Sequence, residues 1–149
     1  MKALAAILLA LCLHAHAYPS ERAQNAAIAD VASTGAALAL GAAEANPLGL
    51  LTLPMKFAAI RYAEGLPDGD KQTAQSVISS MWRGAAANNV CVIMSIVTGG
   101  TFAPVCAIAG FAVAWHEWQS GEIERQFWMV CAYEKQSNPE LKCTYTTPA

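Results

Sequence analysis

Residues 90–115 read VCVIMSIVTGGTFAPVCAIAGFAVAW, an apolar stretch in which no side chain carries a charge. Gly99-Gly100 and Pro104 interrupt the stretch with residues that favour turns. The apolar runs on either side lack the strict alternation of polar and apolar residues that is typical of strands. The stretch therefore predicts an apolar helical hairpin.

Two environments suit such a hairpin. The mean hydropathy of residues 90–108 is roughly +2, which lies in the range of membrane-inserting segments. In a membrane the stretch would form one irregular span or two short inserted helices. In a soluble domain it would be a buried hairpin closed by a disulfide between Cys91 and Cys106. The sequence leaves both interpretations open.

The N-terminus has the pattern of a signal peptide over residues 1–17. Lys2 precedes an apolar run, and Ala15-His16-Ala17 supplies the small residues that signal peptidase accepts. The apolar run is shorter than the ~20 residues that a spanning helix needs. We expect cleavage after Ala17 and export of the mature chain, residues 18–149, as a single helical domain.

The mature chain keeps four cysteines, which suit a compartment that permits disulfides. Each of two pairs lies symmetrically about a turn-forming cluster, near residue 99 for the first and residue 138 for the second. The spacing predicts disulfides between Cys91 and Cys106 and between Cys131 and Cys143. Zinc sites use closer cysteine pairs or histidine partners, so we expect neither a metal nor a cofactor.

Helical patterns also dominate the rest of the chain. An alanine-rich stretch from Ser20 to about Ala45 ends at Asn46-Pro47, because the residue before proline avoids helical geometry. A second helix is predicted from about Leu53 to Glu64, a third from near Asp70, and an amphipathic helix over about 119–136. Strand-like alternation is nearly absent. The predicted fold is all-α, a small helical bundle with an apolar hairpin and two disulfides.

Composition excludes two broad classes of protein. The chain has 149 residues, of which 55% are hydrophobic and 13% charged, and its formal net charge is −2. So apolar a chain is not expected to be disordered. Its 9 lysines and arginines are scattered and form no basic stripe, so nucleic acid is not an expected partner.

No recognisable catalytic motif is present. His116 is the only histidine that remains after processing, and Ser120 stands where a zinc-binding helix would need a second one. The Gly-x-Ser-x-Gly elbow of serine hydrolases is also missing. Glu117, Glu122 and Glu124 are expected to face solvent with ordinary acidity, and Trp115, His116 and Trp118 to lie where an apolar helix meets water. The chain is therefore not expected to be an enzyme.

One set of polar residues is out of place among alanines. Asp30 and Thr34 share one face of the first helix, and a carboxylate in such surroundings needs a partner. A tight turn at Asn46-Pro47 would leave Asp30 and Lys56 offset by about 10 Å along the helices, too far for a direct ion pair. We therefore expect Asp30 to contact Thr34, an asparagine amide or water, and Lys56 to reach Glu44. The candidate polar network comprises Asp30, Thr34, Glu44, Asn46, Lys56, Asn88 and Asn89.

The order of these residues resembles a known pattern. Over residues 26–60, the series Asp30, Thr34, Glu44-Ala45-Asn46-Pro47-Leu48 and Lys56 is similar to that of a group of small uncharacterised bacterial integral membrane proteins. That group has an Asp-x-x-x-Thr helix, a Glu-x-Asn-Pro connector and a lysine-bearing second helix. The resemblance implies a membrane location and no particular activity.

Together these features predict a small exported, membrane-associated protein of a bacterium or phage that acts by binding or assembly. Its expected place is the inner membrane, facing the periplasm, and a protein partner is compatible with this prediction. The alternative is a soluble periplasmic or secreted helical binding protein stabilised by its disulfides.

Overall fold

The computed structural model describes residues 19–41, 53–100 and 103–146. Over these residues the chain forms helices and no strand, which confirms the predicted all-α class. The helices are α1 (Pro19–Ala39), α2 (Leu53–Glu64), α3 (Asp68–Thr98), α4 (Ala103–Ser120) and α5 (Glu122–Ser137). The predicted signal peptide, residues 1–17, lies outside the described residues.

The long helix α3 is the axis of the bundle, and the other helices pack along it. Its 31 residues span about 46 Å at 1.5 Å per residue. α1 runs parallel to α3, α4 and then α5 run antiparallel to it, and α2 lies antiparallel to α1. One end of α3 therefore meets α5 and the beginning of α1, and the other end meets α4 and the end of α1.

The predicted hairpin is formed by α3 and α4. α3 ends at Thr98 because Gly99 adopts a left-handed conformation, with φ 69°, that suits glycine. The Gly100 amide donates to the Ser95 carbonyl oxygen at 3.0 Å, which completes the cap. Cys91 and Cys106 are joined, with their Cα atoms 5.2 Å apart, as predicted. The second predicted disulfide, Cys131 to Cys143, is also formed.

The hairpin is not buried, however. The outward face of α4 leaves Val105, Ile108 and Phe111 exposed, at 69% for Ile108 and 71% for Phe111. The soluble interpretation of residues 90–115 as a buried hairpin is therefore wrong in that respect. Among the helices of the described ranges, none is both long enough and apolar enough to cross a bilayer, so the predicted transmembrane helix is not found there.

The backbones of α3 and α4 touch where two glycines face each other. A Cβ atom on Gly84 would lie 2.8 Å from the Gly110 carbonyl oxygen and 2.8 Å from the Ala114 Cβ. A Cβ atom on Gly110 would likewise lie 2.8 Å from the Gly84 carbonyl oxygen. Only glycine allows this approach, since the obstructing atoms include backbone that cannot rotate away.

Some helix boundaries differ from those predicted. α2 has the predicted limits, and α3 begins two residues before Asp70. α1 ends at Ala39, whereas the pattern extended it to about Ala45; the predicted stop at Asn46-Pro47 lies outside the described residues. The amphipathic helix predicted over 119–136 is divided, because Gly121 separates the end of α4 from α5. Alanine-rich sequence favours helix throughout and so marks helix ends poorly.

Two hydrophobic clusters lie between the helices in the described ranges, and alanine contributes much of both. One contains Ala23, Ala27 and Ile60, with Ile78 and Trp82 packed against it. The other contains Ala37 and Ile93, with Ala36 and Val90 packed against it. Between these two clusters the helices meet through polar side chains.

Candidate functional site

The inner face of α3 is polar over much of its length. Gln72, Gln75, Ser79 and Arg83 recur three or four residues apart and are all buried. We call these four residues the polar seam. Gln75 is only 1% exposed, and its amide has no hydrogen-bond partner in the part of the chain that the structure describes. A buried polar face of this kind is unusual and needs an explanation, because buried polar groups destabilise a fold unless they are paired.

The first paired group at this interface surrounds Asp30, and we call it the Asp30 network. Asp30 and Lys56 are 5% and 7% exposed, and the Lys56 ammonium donates to the Asp30 carboxylate. The Asn89 amide of α3 donates to the other Asp30 oxygen at 3.0 Å and to Thr34 Oγ1 at 2.9 Å. Asn89 also donates to Ser33 Oγ at 3.3 Å. Three helices therefore meet at one buried ion pair.

This geometry unites four residues of the predicted network and corrects one prediction. The expected contacts of Asp30 with an asparagine amide are present, but the expectation against a direct Asp30–Lys56 ion pair is wrong. The offset of about 10 Å assumed a tight turn and level helix ends. Because α1 already ends at Ala39 and α2 begins at Leu53, residues 40–52 connect them and the ends need not be level.

The remaining predicted members lie elsewhere. The Cβ atom of Asn88 faces Gly110 of α4, on the hairpin side of α3. Glu44 and Asn46 fall outside the described residues, so the predicted contact between Lys56 and Glu44 stays a prediction.

A second polar group, largely but not fully buried, surrounds Glu117 near the end of α4, and the sequence did not predict it. We call it the Glu117 network. Arg22 of α1 donates to Glu117 Oε1 from Nη2 at 2.9 Å and from Nε at 3.2 Å. Ser79 Oγ donates to the same oxygen at 2.7 Å, and Arg83 Nε lies 3.6 Å from Oε2. Arg22 also lies 3.8 Å from Glu124 of α5.

The two carboxyl groups that share Arg22 have shifted acidities of opposite sign. Burial alone would raise the pKa of Glu117, but the Ser79 hydrogen bond and the charges of Arg22 and Arg83 outweigh it and lower that pKa. Burial raises the pKa of Glu124, and the charge of Arg22 only partly opposes this. The expectation that these acids have ordinary acidity and face solvent is therefore wrong for both residues.

Arg125 fixes the corner between α4 and α5. Arg125 is buried at 3% exposure and pairs with Glu122, whose pKa is lowered by hydrogen bonds from Gln126 and Arg125. The Arg125 guanidinium lies 3.5 Å from the Trp118 ring centroid and donates to the Trp118 carbonyl oxygen at 2.8 Å. Trp118 is therefore half-buried against Arg125, whereas Trp115 remains exposed as expected.

A surface groove of about 300 Å³ between α1 and α2 is lined by Gln24, Phe57, Ile60, Arg61 and Glu64, and none of these residues belongs to either network. No group of histidine, cysteine or acidic residues in the described ranges is arranged to hold a metal ion. The buried charges satisfy one another, which is what residues that join helices do.

The outer surface of the bundle carries many apolar side chains. Large hydrophobic side chains are exposed on every helix, and a patch of this kind is more informative than a single exposed leucine. They include Ile28, Leu40, Met55, Phe57, Tyr62, Met81, Met94, Val97, Val105, Ile108, Phe111, Trp115, Ile123, Val130 and Tyr133. The bundle therefore combines polar contacts between its helices with many exposed apolar side chains.

Comparison of the chain with protein-family models, with curated proteins and with solved structures found no match. The resemblance over residues 26–60 therefore stays an expectation. The distribution of polar and apolar side chains becomes the main evidence about what the protein does.

Proposed function

We propose that this chain is a small exported helical protein that associates with a membrane and acts by binding or assembly rather than by catalysis. The observation that carries the proposal is the combination of paired polar side chains between the helices with large apolar side chains exposed on every helix. Ion pairs and amides lie between the helices, while isoleucine, phenylalanine and methionine side chains lie on the surface.

Lipid makes this distribution favourable. Exposed apolar side chains are unfavourable in water and favourable against acyl chains, whereas polar side chains in lipid must pair within the protein. The Asp30 and Glu117 networks provide such pairing. Small residues let membrane helices approach closely, and the bundle uses buried alanines on α1 and the Gly84–Gly110 contact in this way.

The second candidate is a soluble periplasmic or secreted protein that binds another protein through its apolar surface. The surface of α5 favours it, because Ile123 and Val130 are exposed on a helix that also carries Glu122, Glu124 and Lys135. Apolar side chains with charged neighbours are typical of protein interfaces. The two disulfides are compatible with either candidate.

Alkaline carbonate extraction distinguishes the two candidates. The chain would be expressed for export, and washed membranes would be treated with carbonate beside an integral membrane protein and a soluble periplasmic protein as controls. We expect the protein to stay in the membrane pellet, with Tyr18 at its N-terminus by mass spectrometry. Complete release with the soluble control would contradict membrane association and support the second candidate.

A further inference from the structure

We infer that one end of the bundle enters a single leaflet of a lipid bilayer, with the Asp30 network at its base; this inference rests on the proposed membrane association. This end consists of three segments, residues 31–41, 90–100 and 104–115. The first belongs to α1 and the two residues that follow it, the second to α3 and its cap, and the third to α4. We call it the apolar pole. These segments lie together because Ala37 packs on Ile93 and because Cys91 is bonded to Cys106.

Among the described residues, charge is segregated along the axis of the bundle. None of the three segments of the apolar pole contains a charged residue. The charges of α1, α2, α3 and α5 lie at or below the Asp30 network, towards the other end. An uncharged end on a charged body matches a hydrocarbon layer beneath a polar one, because a charged side chain in the hydrocarbon is strongly unfavourable.

The length of the apolar pole fits one leaflet. From Asn89 to Thr98, α3 rises about 14 Å at 1.5 Å per residue. Half of the hydrocarbon core of a bilayer is about 15 Å thick. Gly84 lies about 8 Å below Asn89 along α3. Ala114 of α4 lies against Gly84, and Trp115 is the next residue, so Trp115 lies at about that depth. This depth corresponds to the headgroup region, where exposed tryptophan is favoured.

The polar groups of the apolar pole bond within the protein, as a hydrocarbon environment requires. Thr98 Oγ1, beside the tip, donates to the Met94 carbonyl oxygen at 2.8 Å. The amides of Gly99 and Gly100 donate to carbonyl oxygens of the last turn of α3. The tip can therefore move from water into lipid without leaving these donors unpaired.

The positions of the exposed side chains favour lipid over a second copy of the chain. Leu40 of α1, Met94 and Val97 of α3, and Ile108 and Phe111 of α4 expose apolar surface on three helices of the pole. A single protein partner would cover one side, whereas a leaflet surrounds all of them. The pole also lacks the charges that would fix the register of a protein partner.

A matched pair of substitutions tests this inference. Val97 in the apolar pole and Val77, lower on the same helix, are exposed to a similar extent, 45% and 41%. Val97 lies eight positions beyond Asn89, about 12 Å along α3, whereas Val77 lies on the other side of the Asp30 network. The purified full chain and its Val97→Asp and Val77→Asp variants would be floated with phosphatidylcholine–phosphatidylglycerol vesicles. We expect Val97→Asp to lower the bound fraction at least about tenfold, because its carboxylate would enter hydrocarbon. Val77→Asp should bind like the unmodified chain.

Depth provides a second readout. Brominated acyl chains should quench a part of the tryptophan emission that is missing in Trp115→Phe. Equal vesicle binding by all three proteins, or loss only in Val77→Asp, would overturn the inference and leave membrane association in place. If the unmodified chain does not bind vesicles at all, the proposed function itself fails. If Val97→Asp instead dissociates a dimer during gel filtration without vesicles, the pole binds a second copy and the inference is wrong.

Discussion

The Asp30 network makes a quantitative prediction about stability. Asp30→Ala removes the acceptor for both the Lys56 ammonium and the Asn89 amide and leaves a buried ammonium without its counter-charge. Breaking a buried ion pair from one side costs about 3–5 kcal/mol. Lys56→Ala should cost less, about 2–3 kcal/mol, because Asn89 still binds the carboxylate and the shortened side chain admits water. We therefore expect Asp30→Ala to be the more destabilising of the two.

The double variant isolates the interaction itself. Asp30→Ala with Lys56→Ala strands no charge, and Asn89 retains Ser33 and Thr34 as acceptors. The double variant should lose no more free energy of unfolding than Asp30→Ala alone. The two single losses then exceed the double loss by about 2–3 kcal/mol, which is the coupling energy between the two residues. Urea unfolding followed by far-ultraviolet circular dichroism measures all three free energies. Additive losses, each below about 0.5 kcal/mol, would show that water solvates the pair and would refute the buried network.

Four further predictions follow from other contacts. Gly84→Ala should lower the free energy of unfolding by about 1–3 kcal/mol or more, because its Cβ would meet the Gly110 backbone, whereas Gly35→Ala, with nothing within 4 Å, should be neutral or stabilising. Glu117→Gln should destabilise the protein at pH 7 in urea titrations. Because the pKa of Glu117 in the fold lies below the ordinary 4.5, its contribution is present above pH 4.5 and is lost as the pH falls through the lowered pKa, so the difference from the unmodified chain should shrink in acid. Glu124→Gln should have the opposite sign, since burial raises the pKa of Glu124 and its charged form opposes folding near neutral pH. A non-reducing peptide map should link Cys91 to Cys106 and Cys131 to Cys143, and a Cys91–Cys131 peptide would exclude this fold.

Local features of the sequence predicted the framework correctly. Gly99-Gly100 and Pro104 interrupt an uncharged run, and the structure ends one helix and begins the next between them. The symmetric spacing of cysteines about two turns predicted both disulfides. These features succeed because turn chemistry and short-range covalent closure depend on nearby residues.

The Glu117 network was missed because its members are far apart in the sequence. Arg22 and Glu117 are separated by 95 positions, and no periodicity connects them. The available signal was on α3, where Ser79 and Arg83 share a face with Gln72 and Gln75. When the inward face of a helix is polar, the neighbouring helices are expected to supply polar partners. It does not indicate which residues they are, because the partner depends on how the helices are staggered.

The Cys91–Cys106 disulfide is a covalent link within the apolar pole. Beyond the Asp30 network, the described residues of the pole include a small hydrophobic cluster in which Ala37 and Ile93 are buried, with Ala36 and Val90 packed against them. Burying one isoleucine contributes about 1.5–3 kcal/mol. The Cys91–Cys106 bond closes a sequence separation of 15 residues, for which chain entropy gives about 3 kcal/mol. The covalent bond therefore matches the local core in strength, and it holds α3 against α4 while their apolar side chains remain on the outside. A hairpin held in this way can present isoleucine and phenylalanine to its surroundings without needing them for its own packing.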